Sequence, residues 1–541
     1  MSGRIQPSPR SERERREPGH IVLVLHAHLP FVRHPEYDDC LEERWLYEAM
    51  TETYIPLILC FERLVRDGVR FRVTMTLTPP LLSMLSDPLL QTRYRRYLDR
   101  LVELSGKELI RTRLEPHFHR TVLMYRRLLE ECRRLFVDRY GMNLVAAFKE
   151  YADLGVLEAI TCGATHGFLP FMESNPKSIE AQVEVGVRTH RRLLGAAPKG
   201  IWLPECGYTP LVDRYLAAEG IRYFFADTHG ILHGQPRPAH GVHAPVRTPG
   251  GIFAFGRDVE SSQSVWSSKV GYPGDYDYRD FYRDIGFDLD FDYIRPYIHD
   301  SGLRCFTGMK YHRITGPTDQ KEPYDPEVAR AKVRIHAADF LLNRTKQVEH
   351  LRSALGIQPV VVCPYDAELF GHWWFEGPWF LEELFRIMDR ESGVVRLTTP
   401  SEYMERHPSA QEVDMAFSSW GDKGYGYVWL NGTNDWIYRH LHWAEEQMEE
   451  VARRYRRHRG DYRRVLDQMA RELLLAQSSD WAFIMNGKTT VEYAVRRTKS
   501  HLFNFLRLCD GLREDVIDRA LLDQLEKSNN IFPDMDFRVF C

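Results

Sequence analysis

The strongest constraint on this chain's fold is a recurrence: short apolar runs, each closed by a polar motif. IVLVL (21–25) leads into His26-Ala27-His28, FRVTMTL (71–77) into Thr78-Pro79-Pro80, LEAIT (157–161) into CGATHGF and GIWL (200–203) into PECGY. RYFFA (222–226) leads into Asp227-Thr228-His229, GIFAF (251–255) into GRD, PVVVC (359–363) into PYDAELFGH and VVRLT (394–398) into TPSEY. Their length and β-branched content predict strands, with helical patterns between most of them. Polar residues gathered after the strands are what a parallel sheet requires, because its C-terminal strand ends open on one face. Seven or eight such runs over about 400 residues suit a barrel-like α/β fold better than an open dinucleotide fold. No G-x-G-x-x-G or P-loop pattern is present.

At 541 residues the chain exceeds what one core usually holds. Residues 1–18, charged and without an apolar segment, are expected to be a disordered tail rather than a signal or transit peptide. The α/β barrel is expected over 19–415, with a charged helical insertion at about 90–152 between the second and third runs. From 416 to 541 an aromatic, glycine-rich loop gives way to helical patterns, one carrying Leu466, Met469, Leu473 and Leu474 on a single face. A C-terminal helical domain docked on the barrel and contributing to its site follows.

Composition excludes several classes. A net charge of −4 argues against a nucleic-acid surface. The basic run Arg453–Arg464, flanked by acidic residues, reads as the solvated face of a helix hairpin. Nine scattered cysteines without a CxxC pair fit a reduced, cytoplasmic protein rather than a disulfide or zinc framework. No apolar stretch reaches 18 residues, so no membrane span is expected.

The chemistry concentrates after the fourth and seventh runs. Glu205 in IWLPECGY is a lone carboxylate at the tip of an apolar strand, costly unless paired or used. Asp366 in CPYDAELFGHWWFEGP stands in the same position on another strand, with Glu368 as a rival two residues on. Two such groups meeting across a barrel mouth would suit a retaining glycosidase, which needs a nucleophile and an acid/base. His26 and His28, with His166 and His229 after other strands, allow a metal site on paper, but no second histidine pair or bridging lysine completes it. Asp288, Asp290 and Asp292 alternate with Phe287, Leu289, Phe291 and Tyr293. Without glycine at the sixth position this is not a calcium loop, and a half-buried extended segment is expected.

HAHLPFVRHPE, THGFLP, WLPECGY, CPYDAELFGHWWFEGP and SSDWAFI resemble, in order, the five signature regions of glycoside hydrolase family 57. The aromatic stretches FGRDVESSQSVWSSKVGYPGDYDYRDFYRD and SSWGDKGYGYVWLNGTNDW look most like its 1,4-α-glucan branching enzymes. The resemblance implies an incomplete seven-stranded (β/α) barrel with a helical C-terminal domain, and no metal or other cofactor. It implies Glu205 as nucleophile, Asp366 as general acid/base, and Arg257, Gly274, Trp420 and Asp480 as substrate contacts. His26, His28 and His166 would line the donor sugar site; Trp266, Trp429 and the HWWFEGPW tryptophans would offer stacking surfaces. The partner is then an α-1,4-glucan, serving as donor and acceptor. An α-amylase or 4-α-glucanotransferase is the alternative within enzymes, and a non-catalytic glucan-binding protein the alternative outside them. Branching enzymes of the family carry a tyrosine on a mobile loop over the site. The matching stretch here, THGILHGQPRPAHG (228–241), has none and offers His233 near that place, unless Tyr272 or Tyr276 fills it.

Overall fold

The computed structural model describes residues 18–267, 270–391 and 393–541. The expected tail lies outside the described residues except for Pro18. All eight apolar runs form strands: β1 Gly19–Ala27, β2 Val73–Leu77, β3 Leu157–Cys162, β4 Gly200–Trp202, β5 Tyr223–Ala226, β7 Phe253–Gly256, β8 Val360–Asp366 and β9 Val395–Leu397. A ninth, β6 Val246–Arg247, is too short to have left a signal. Seven parallel strands make the curled sheet, in the order β7-β5-β4-β3-β2-β1-β8; β9 joins the start of β1, and β6 runs antiparallel along the outer edge of β7.

The barrel is incomplete. No ladder joins β8 to the β6–β7 edge; the gap is crossed by backbone bonds from Val360 to His243 and from Asp258 to Val362, each 2.9 Å. Every residue of β1 is buried, as expected for a parallel strand covered on both faces. Register then sets the working face. His26 on β1 stands level with Thr76 on β2 and with Asp366 on β8, so all three lie at the C-terminal rim.

Between β2 and β3, helices Pro88–Arg111 and Pro116–Arg133 pack on each other, the first capped by Asp87, whose carboxylate accepts from the Leu89 and Leu90 amides. After residue 437 the chain is helical: Tyr438–Arg454, Asp461–Ala476, Ser479–Gly487, Val491–Arg513 and Arg519–Ser528. Leu466, Met469, Leu473 and Leu474 are all fully buried there. The basic run spans the end of one of these helices, a turn and the start of the next. Arg464 pairs with Asp461, Asp523 and Glu526.

The aspartate-rich stretch departs from expectation. It is not extended: residues 285–288 and 291–294 are two short helices, capped by Asp284 and Asp290. Of the alternating aspartates, Asp290 is a helix cap, Asp288 pairs with Arg283 and Asp292 lies in a helix first turn, so the pattern does not mark a pleated face. Among the described residues no helix is long and apolar enough to cross a membrane.

Candidate active site

Glu205 begins where β4 ends. Pro204, Glu205 and Cys206 make one tight turn in which Glu205 (φ 60°, ψ 23°) and Cys206 (φ 51°) are left-handed. His166, after β3, is left-handed too (φ 61°). Non-glycine residues held there store about 1–3 kcal/mol each, which the surrounding contacts must offset. The contacts are dense. Trp420 donates its backbone N–H to the Glu205 carbonyl and its indole N–H to Oε2 at 2.8 Å. The Ser479 hydroxyl donates to Oε1 at 2.7 Å.

The hydrogen-bond pattern assigns the protons. Burial, then the neighbouring histidine charges, pushes His26 and His166 well below the usual imidazole range, so both rings are neutral. Because Ser479 spends its proton on Glu205, its oxygen accepts from His166 Nδ1 (2.9 Å). His166 Nε2 therefore accepts from His26 Nε2 (3.1 Å). A single directed chain, His26 to His166 to Ser479 to Glu205, ends on a carboxylate oxygen and favours its anion. His26 reaches the carboxylate only through His166; its ring is buried against Trp202, centroids 4.7 Å apart.

His28 has a different charge state. Burial lowers its pKa, but the Asp480 carboxylate, 3.0 Å from Nε2, more than reverses this and holds it above the ordinary value. The same pairing, against the opposing effect of burial, holds Asp480 down at about 2. His28 is then an imidazolium beside several carboxyls, anchored to Thr78 through Nδ1.

Asp366 ends β8 and its side chain accepts no hydrogen bond among the described residues. Burial pushes it up to about 6, with the His28 and Arg257 charges pulling the other way. Glu205 is pushed by burial up to about 7 in spite of its two donors. Taken singly, these values leave the proton on Glu205; the Ser479 and Trp420 donors to its two oxygens favour its anion, so we place the proton on Asp366, which accepts no hydrogen bond among the described residues. Glu368, pushed by burial up to about 7, is tied up by the Tyr54 hydroxyl and the His28 amide. The singly protonated pair predominates between about pH 6 and about pH 7. Below that window both carboxyls are protonated and above it both are ionised, so chemistry that needs one of each is lost on either side. A kcat/KM–pH profile is expected to be a bell with its maximum there; a flat profile from pH 5 to pH 9 would contradict the pairing.

His28, His166 and Asp480 bring ligand atoms within 4.8 Å of one another. Their geometry is poor for a metal. A metal lies in the plane of each imidazole it binds, and these two rings stack at 3.8 Å with planes 14° apart. Planes so nearly parallel meet far from either nitrogen.

The other expected contacts divide. Arg257 pairs with Asp227 (3.2 Å), and its charge reaches Asp366. Trp420 and Asp480 join the network directly. Trp429 is a correction: it is buried, its ring stacked on Phe168 (centroids 5.2 Å, 14°), and offers no free face to a sugar. Trp266, exposed at a helix end, and Gly274 make no contact with this network among the described residues. Segment 228–241 is not a free lid. Gln235 and Asp414 exchange both backbone bonds, and His229 Nε2 binds the Gly424 carbonyl. Tyr272 is bound to Asp339 and Tyr276 packs on Gly316. The tyrosine beside His233 is Tyr425, its hydroxyl 3.5 Å from Nδ1 and its ring edge-on to His229. Sequence reasoning missed Ser479 and Tyr425, though both lie inside stretches singled out for their residues.

The sequence model of glycosyl hydrolase family 57 matches residues 22–416. The chain belongs to glycosyl hydrolase family 57. A second model, described as the C-terminal part of 1,4-alpha-glucan branching enzyme, matches residues 440–540. A 1,4-alpha-glucan branching enzyme of Thermococcus kodakarensis is 31% identical over 552 residues, covering 95% of this chain and 77% of that protein. Among solved structures, an α-amylase from Thermotoga maritima is 47% identical with TM-score 0.91, covering 97% of this chain and 99% of that one. A branching enzyme from Pyrococcus horikoshii is 31% identical with TM-score 0.86, covering 96% of each chain.

Proposed function

We propose that the protein is a 1,4-α-glucan branching enzyme acting by retaining double displacement. Glu205 attacks the anomeric carbon of an α-1,4-linked donor while Asp366 protonates the departing glycosidic oxygen. The glucosyl ester on Glu205 is then opened by a 6-hydroxyl of an acceptor glucan, whose proton passes to Asp366, and an α-1,6 bond forms. The Ser479 and Trp420 donors hold Glu205 in line for attack. In this reading His28, Asp480 and Arg257 bind sugar hydroxyls beside the two carboxyls. The observation that carries the reading is Ser479: it lies in the segment matched by the branching-enzyme model and donates to the nucleophile. The stacked His28–His166 pair favours sugar over metal as the ligand. Nine free cysteines, seven of them buried, support a reducing compartment such as the cytoplasm.

Hydrolysis is the second reading, favoured by the 47% identical α-amylase. The two differ in whether water or a sugar hydroxyl opens the ester, so what matters is dryness of the site and grip on the acceptor. Tyr425, over His233 and His229, is the group we assign to excluding water. Amylose treated with the enzyme is expected to lose its iodine stain with few new reducing ends. Tyr425→Ala is expected to raise the ratio of new reducing ends to new branch points about 3- to 10-fold, whereas His233→Tyr leaves it near wild type. A ratio unmoved by Tyr425→Ala would remove that residue from the account.

A further inference from the structure

The loop after β8 does more than carry Asp366. Gly371 (φ +120°) lies so close to the turn at residues 50–54 that a Cβ would stand 1.8 Å from the Glu52 carbonyl oxygen. His372 then binds Glu52 through Nδ1 (2.9 Å) and Thr53 through its amide (3.2 Å), and the Arg279 guanidinium caps the His372 carbonyl at 2.9 Å. With the loop fixed this way, its two adjacent tryptophans diverge. Trp374 is buried, whereas Trp373 is 52% exposed, seven residues after Asp366.

Trp373 stacks on Phe281 with centroids 4.3 Å apart. Phe281 touches Phe306 at 5.7 Å, and Phe306 touches Phe287 at 5.5 Å. Tyr282, 77% exposed, stands edge-on to Phe281, and Phe287 is half exposed. Beneath them the buried Lys310 ammonium lies 4.0 Å from the Phe281 centroid and 4.3 Å from that of Phe306. A cation held against two ring faces pins the rings from inside. A file with three exposed rings, Trp373, Tyr282 and Phe287, carried on the half-buried Phe281 and Phe306 and starting at the loop after Asp366, is unusual on a protein surface unless something binds it.

We infer that this file, from Trp373 to Phe287, is an outer binding track for an α-1,4-glucan chain entering or leaving the catalytic mouth. The ligand chemistry follows from the surface. Pyranose rings present an apolar C–H face that stacks on aromatic rings, and a polymer of them needs a succession of such rings. Of the cations beside the track among the described residues, Lys310 is buried, Arg283 pairs with Asp288, and Arg304 is turned onto the Gly286, Phe287 and Leu289 carbonyls, so a neutral chain fits it better than an anionic one. The inference rests on the proposed reading that the substrate is an α-glucan.

The test compares KM and kcat for long amylose and for the short donor maltotriosyl fluoride in wild type, Trp373→Ala and Phe287→Ala. Trp373→Ala is expected to raise the amylose KM about tenfold, and Phe287→Ala about threefold, with kcat within about twofold and with the short-donor KM rising several-fold less. An amylose KM unchanged in both variants, or raised equally for both donors, would overturn the track. Phe287 is a half-exposed side chain, so its variant keeps the test decisive if Trp373→Ala folds poorly. Wild type that transforms neither donor would overturn the functional reading and the track with it, before any variant is needed.

Discussion

Glu205→Gln is expected to lose at least about 10⁴-fold in kcat on amylose while still binding glucan, because an amide cannot form the glucosyl ester. The geometry allows the fold to survive the change. The Trp420 indole N–H, 2.8 Å from Oε2, can donate to the amide oxygen. The amide NH₂ then faces the Ser479 hydroxyl, whose oxygen can accept and whose proton can rotate away. The remaining cost is one rearranged buried hydrogen bond, about 1–3 kcal/mol. Affinity electrophoresis in amylose gels and kinetics on the same preparation separate binding from turnover. Retained transferase activity would remove Glu205 from the role of nucleophile.

Asp366→Ala carries the second large effect. Loss of a positioned acid/base is expected to lower kcat on amylose about 10²- to 10⁴-fold. The loss should be far smaller on a glycosyl fluoride, whose leaving group needs no proton. Azide should then restore part of the turnover, since a small anion opens the ester without a base. Glu368→Ala is the control that can reverse the assignment. Glu368 is held by the Tyr54 hydroxyl and the His28 amide, which makes it a positioning residue with an expected loss of about tenfold. If Glu368→Ala proves the more crippled variant, and azide rescues it instead, the wrong carboxyl has been given the proton.

The strands were legible because a parallel strand buried on both faces has to be written as an unbroken apolar run, and β1 shows this most fully. β6 was not, since two residues leave no period to read. The alternating Asp288, Asp290 and Asp292 imitated a pleated strand in part because a helix cap, which Asp290 is, and an extended polar position call for the same residue type. Glu205 and Asp366 could be picked out since a carboxyl at the end of an apolar strand needs a reason. Which of two tryptophans in one glycine-rich stretch serves the site could not be read. Trp420 does so only because its amide and its indole both reach Glu205, and Trp429 does not because Phe168 covers its ring. Ser479 had the same limitation: its value lies in a contact across 274 positions of sequence, which no local pattern encodes.

The fate of the cleaved chain separates transfer from hydrolysis most directly. Purified enzyme is incubated with linear amylose, the product is debranched with an α-1,6-specific glucosidase, and released chains are measured against the reducing ends present before debranching. Transfer through Glu205 to a 6-hydroxyl predicts a population of short chains released only by debranching, far outnumbering the reducing ends formed earlier. Short chains already free before debranching, one new reducing end for each bond broken and nothing further released, would contradict it and leave the site a hydrolase.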